Sequence, residues 1–157
     1  VTATWASFAG LLVAAPLLVW MAWQDLRELK ISNRNVLLIL AIFVLAAPML
    51  DLPEILSRLL AFCLVFAIGL VLFATRIIAG GDVKMLSVVT LLIPSDTVQS
   101  FALYLSATLL CMVVILAALQ RSQNGLKNRW AALQQIGFPM APSISLAALL
   151  CAIIHLS

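Results

Sequence analysis

Two aspartates stand where an otherwise apolar chain has little use for charge. Asp82 lies in "RIIAGGDVKML", residues 76–86, between two strongly apolar runs. Asp25 lies in "WQDLRELKISN", residues 23–33, where the first apolar run ends. A carboxylate at membrane depth costs about 2.5–3.5 kcal/mol on insertion scales, so such residues face a bundle interior or a water-filled cavity. Two carboxylates brought together resist ionising at once and share a proton. Such a pair holds a water between a base and an acid, as hydrolysis of a peptide bond requires. Gly80 and Gly81 suit the same chemistry, because they remove side chains where a substrate backbone would approach Asp82. Structural readings stand beside the chemical one. Asp82 is also a candidate N-cap of a helix. Asp25 also fits a mixed-charge interfacial cluster, "DLRELK".

The elements that must position these residues are membrane helices. The chain has 157 residues, is 65% hydrophobic and is only 10% charged, with a mean hydropathy of +1.20. A soluble domain carries about 25% charged residues, so the composition points to an all-α integral membrane protein forming one domain over residues 1–157. The net charge of +3 is not gathered into a basic tract, and no aromatic-basic interleaving occurs, so nucleic acid is not an expected partner. Cys63, Cys111 and Cys151 each stand alone in an apolar run, without C-x-x-C spacing. They are expected to pack as small apolar groups, with no disulfide framework, metal or cofactor implied. The opening stretch has no basic residue before its apolar run. It is expected to be a retained helix rather than a secretory signal.

Six apolar segments emerge, at about 5–24, 35–50, 55–75, 82–94, 98–120 and 136–156, predicting a bundle of about six transmembrane helices. The first, third, fifth and sixth are long enough to cross a ~30 Å core; the second is slightly short and the fourth clearly short. Ser32 and Asn33 are suited to cap the second helix. Arg27, Lys30 and Arg34 follow the first segment, Arg76 and Lys84 flank the connection after the third, and Arg121, Lys127 and Arg129 follow the fifth. The remaining connections are acidic or neutral. The positive-inside rule therefore places the first, third and fifth connections in the cytoplasm and both termini on the outer, periplasmic side. If the fourth helix meets the outer interface at Pro94, Asp82 lies roughly 18 Å below it, inside the hydrocarbon profile. Asp25 lies near the cytoplasmic interface, where the two carboxylates can converge. Lys84 is about 200° around a helix from Asp82 and is expected to snorkel to the interface. His155 reads as a lone interfacial residue at the outer end.

Together these residues resemble the type IV prepilin peptidase family of intramembrane aspartic proteases. The family has an aspartate, a basic loop and "IPN"; here Asp25 is followed by "LRELK" and then "ISN", with Ser32 in place of the proline. The family has Gly-x-Gly-Asp continued as Val-Lys-Leu; here "AGGDVKML" runs from Ala79 to Leu86, with Ala79 in place of the first glycine. The family's last helix opens near a Pro-aromatic-Gly element; here "FPMAPSI" runs from Phe138 to Ile144, with Met140 and Ala141 in place of the aromatic and glycine.

The resemblance implies a multi-pass protein of the bacterial inner membrane. It implies an aspartic endopeptidase that cleaves the leader of a pilin or pseudopilin precursor at the cytoplasmic face. Asp25 and Asp82 then form the catalytic pair, and Gly80 and Gly81 shape the site. Arg27, Lys30 and Lys84 are candidates to orient an acidic group on the substrate, a prepilin with a basic leader and a hydrophobic helix. Longer members carry a soluble insert with C-x-x-C pairs and also methylate the new N-terminus. This chain has no room for that insert and no such cysteines, and is similar to the short, peptidase-only form of tight-adherence (Flp-type) pili, so methylation is not expected. Two other readings are a non-enzymatic membrane transporter or pilus-assembly factor, whose carboxylates would serve an ion pathway, and a presenilin-like protease. The latter pairs its Gly-x-Gly-Asp element with a Tyr-Asp, whereas Gln24 precedes Asp25 here.

Overall fold

The computed structural model describes residues 2–28, 31–121 and 139–156. Six α-helices carry these residues: α1 (Thr2–Glu28), α2 (Asn33–Ala46), α3 (Leu52–Ala74), α4 (Gly80–Leu92), α5 (Val98–Arg121) and α6 (Ala141–Leu156). Short 3-10 turns at Ala47–Met49 and Ser95–Thr97 follow α2 and precede α5. Among the described residues there are no strands.

Local chemistry sets the ends of these helices. Ser32 caps α2, its hydroxyl accepting from the Arg34 N–H at 3.3 Å. Asp51 is the N-cap residue of α3, with Pro53 in the first turn, where its missing N–H costs nothing. At the other end of α3, Ile77 N–H donates to Leu72 O and Arg76 N–H to Phe73 O. This is a Schellman stop, and it places Arg76 at φ 59°, a left-handed position usually given to glycine. Ala79, not Asp82, is the N-cap residue of α4, so the capping reading of Asp82 does not hold. Gly80 and Gly81 form the start of that helix and Asp82 its third position.

Among the described residues three helices are long and apolar enough to cross a membrane: Ser7–Glu28, the whole of α3, and Ser95–Ala118. The sixth segment was expected to begin at residue 136 and span the core. The helix begins at Ala141 and has 16 residues, shorter than a full crossing. Residues 122–138 lie outside the described part. Outward faces carry large apolar side chains such as Trp20, Leu45, Leu60, Val71, Leu103 and Leu110. Lipid rather than water is the solvent that suits such a surface.

The shortest of the described α-helices, α4, is the one at the centre. In α4, Asp82, Val83, Met85 and every residue from Ser87 to Leu92 are buried. It packs closely on α3 and α2, while α6 packs on α1 and α5. Lipid tails are as apolar as leucine, so helix association in a bilayer depends on small residues and interhelical hydrogen bonds. Both are present. Ala141, Ala147, Ala148 and Ala152 form a buried small-residue side of α6. Ser145 Oγ donates to Leu18 O of α1 at 2.9 Å, and Thr108 Oγ1 of α5 donates to Ser143 O at 3.1 Å. Gly69 lets α3 reach α4, since a Cβ there would stand 2.5 Å from Val83 Cγ1.

That close approach generates a test. Gly69→Val is expected to destabilise the bundle by about 1–3 kcal/mol through overpacking, seen as a lower thermal midpoint in detergent. Adding Val83→Ala should recover much of the loss. An unchanged midpoint for the single variant would refute the contact.

Candidate functional site

The two aspartates lie at the same end of the bundle, on different helices. Asp25 sits one turn before the end of α1 and is 3% exposed; Asp82 sits in the first turn of α4 and is 7% exposed. They are close enough to repel one another electrostatically. Both border the start of α6. Asp25 Oδ2 accepts the Ala141 N–H at 3.1 Å, while the neighbouring Met140 shares a cavity wall with Asp82. The first N–H groups of a helix have no partner within it, so a carboxylate from α1 satisfies one of those at the start of α6. Among the described residues, Asp82 accepts no hydrogen bond from a protein group.

The carboxylates differ in depth. Leu92 of α4 packs where α1 has Gly10, so close that a Cβ on Gly10 would lie 3.2 Å from Leu92 Cδ2. From that level Asp25 is about 22 Å along α1 and Asp82 about 15 Å along α4. By that helix rise Asp25 stands farther from the Gly10–Leu92 level than Asp82 does.

Beside Asp82 is a cavity of about 270 Å³ between α3 and α5, two helices that scarcely touch. Val65, Ile68 and Leu72 line one side, Leu105 and Leu109 the other, and Asp82 is the one ionisable lining residue. Sequence reading did not find this cavity. It depends on which helices fail to meet, and an apolar periodicity does not record that.

The other candidate residues distribute unevenly. The space beside the glycines is occupied by neighbouring side chains: a Cβ on Gly80 would lie 3.2 Å from Phe73, and one on Gly81 3.3 Å from Ile31. These glycines admit α3 and the α1–α2 connection close to the start of α4. Lys84 is exposed, on the side away from Asp82, and its Nζ donates to Asn33 Oδ1 at 3.2 Å. Arg27 is exposed and its guanidinium lies 4.9 Å over the Trp23 ring. Lys30 lies outside the described residues. Asn35 Nδ2 donates to Gln24 Oε1 at 3.1 Å, tying α2 to α1 beside Asp25. Among the described residues no cluster of His, Cys, Asp and Glu could hold a metal ion.

At the opposite end lies a buried charge whose partners the sequence did not disclose. Arg58 is 2% exposed, pairs through Nε with Glu54 Oε1 at 2.7 Å, and donates to Leu91 O at 3.3 Å and Ser7 O at 3.0 Å. Its signal was the Glu54–Arg58 spacing of four, which puts both on one helix face. His155, read as interfacial, is half-buried there; its ring stacks on Phe8 and its Nδ1 lies 2.9 Å from Cys151 O.

A family model described as the type IV leader peptidase family matches residues 12–119, a stretch containing both aspartates. No curated protein and no solved structure matches the chain.

The Asp25–Ala141 contact is testable without reference to activity. Proline is tolerated at the first position of a helix, so Ala141→Pro should keep α6 while removing the donor. A hydrogen bond to a charged group is worth about 1.5–3 kcal/mol, and that much stability in detergent should be lost. In an Asp25→Ala background the same substitution should cost much less. Equal costs in both backgrounds would show that the bond contributes nothing.

Proposed function

The chain belongs to the type IV leader peptidase family, and from that premise we propose that it is an intramembrane aspartic endopeptidase with Asp25 and Asp82 as its catalytic pair. The observation that carries this reading is the burial of two carboxylates, on α1 and α4, within electrostatic reach at one end of an apolar bundle. Burying one such group is expensive, and burying two that repel is more so. Hydrolysis gives that arrangement a use. One carboxylate takes a proton from water as it attacks. The other, protonated, polarises the scissile carbonyl and then supplies the proton to the departing amine.

The substrate is a prepilin or pseudopilin, with a basic leader followed by a hydrophobic helix. The apolar cavity between α3 and α5 supports this choice, because it gives a hydrophobic segment a wall beside Asp82. Cleavage occurs at the cytoplasmic face of the bacterial inner membrane. The basic ends of α1 and α3, at Arg27 and Arg76, belong to the carboxylate end of the bundle, and the positive-inside rule assigns that end to the cytoplasm. Both termini then lie on the periplasmic side of a multi-pass protein. Arg27, Lys30 and Lys84 follow the two aspartates closely in sequence, and their role in this reading is to meet an acidic group on the substrate. Gly80 and Gly81 contribute by seating the start of α4 against Phe73 and Ile31.

The decisive experiment co-expresses the protein with a candidate prepilin and follows leader loss by gel shift. The wild type should cleave. Asp25→Asn and Asp82→Asn should each lose at least about 10²–10⁴-fold in rate, the usual worth of a positioned acid or base. Retained cleavage in both variants would overturn the assignment of the two aspartates as the catalytic pair, and no cleavage by the wild type would favour a non-enzymatic membrane role. Leu109→Trp, which fills the cavity without touching a carboxylate, should also slow cleavage. Unimpaired cleavage by that variant would remove the cavity from the substrate path.

A further inference from the structure

Arg58 is the most deeply buried charged side chain of the described residues, and it lies at the end of the bundle remote from both aspartates. Its three bonds go to three helices. Glu54 is on its own helix, Leu91 is the penultimate residue of α4, and Ser7 lies in α1. The helices it joins are the two that carry Asp25 and Asp82. The Leu91 carbonyl belongs to the last turn of α4, where such groups lack a helical partner and a cation is favoured. A second constraint acts at the same level, because Gly10 of α1 admits Leu92 so closely that a Cβ would meet it at 3.2 Å. Glu54 holds Arg58 in place and is itself fixed by Ser95, whose N–H donates at 2.9 Å and whose hydroxyl also donates to the carboxylate. Elsewhere α1 and α4 touch over little of their length. Their lengthwise alignment therefore depends on this outer bracket.

We infer that Arg58 is a positioning residue that sets the register of α1 against α4, and with it the separation of Asp25 and Asp82 at the other end. Because α1 runs as one helix from Thr2 to Glu28, through Pro16, and α4 is unbroken from Gly80 to Leu92, a slip at one end reappears at the other. A misplacement of about 1 Å between reacting groups can cost about 10²-fold in rate. The fork of a guanidinium bonds two carbonyls and a carboxylate at once, which a lysine ammonium on a flexible stem does not reproduce. The effect of Arg58 on catalysis rests on the two-carboxylate reading above; its effect on register does not.

The test separates the two. In a background with Cys63, Cys111 and Cys151 replaced by alanine, cysteines at positions 25 and 82 are cross-linked in micelles with thiol reagents of graded spacer length. With Arg58 present, one narrow range of spacers should react. Arg58→Met should broaden that range or shift it, and Arg58→Lys should lie between. In the native-cysteine protein, acting on a synthetic precursor with a basic leader and an apolar helix, Arg58→Met should lower kcat about 10²-fold and leave KM within a few-fold. Asp51→Asn, an exposed acidic neighbour, should behave as wild type. If Arg58→Met does not accumulate, Glu54→Gln loosens the same bracket and should change spacer range and kcat in the same direction. An unchanged spacer range in the variants overturns the inference. If the wild type cleaves nothing, the protease reading fails, and the spacer range still decides the role of Arg58.

Discussion

Hydrocarbon offers a carboxylate no hydrogen bond and no screening. A helix that carries one at membrane depth has to be surrounded by protein. That requirement organises this bundle. The 13-residue α4 is too short to span a bilayer, and it is buried along nearly its whole length. The longer, more apolar α3 and α5 take the lipid-facing positions instead. α1, α2 and α6 complete the enclosure, joined by bonds a bilayer interior favours: hydroxyls on carbonyls, and an amide pair between Asn35 and Gln24. The charge at the remote end obeys the same constraint. Arg58 is tolerated because its guanidinium has a carboxylate and two carbonyls to bond.

Much of this was legible in the sequence, because long apolar runs between polar connections report membrane helices directly. The six described helices occur where apolar runs predicted them, although α6 starts at Ala141 rather than at residue 136. Ser32 was readable as a cap because its hydroxyl acts locally, two residues on. Both aspartates were identifiable because charge in an apolar run is expensive and has to be explained.

What escaped was everything that depends on contact between distant segments. Glycines beside Asp82 suggested open space, whereas in the fold they admit Phe73 and Ile31. The four-residue spacing of Glu54 and Arg58 shows that they share a helix face, but not that Arg58 turns inward to α1 and α4. The donor to Asp25 is a backbone N–H from Ala141, 116 residues away and invisible to any residue-type pattern. Arg76 shows a local exception. Its φ of 59° is a glycine position occupied by a cation, so backbone comfort is given up for charge at that end of α3.

The gap between α3 and α5 also determines where an occupant comes from. If the bundle spans a bilayer as proposed, a groove between its two outward, apolar helices opens sideways, toward acyl chains rather than toward water. A hydrophobic helix entering it leaves one apolar solvent for another and gains little from dehydration, so shape and the polar contact at Asp82 must supply the preference. Encounters there are confined to the plane of the bilayer. The relevant quantity is copies per unit area, and a substrate already anchored in the membrane is concentrated by that anchoring before it makes any contact with the protein.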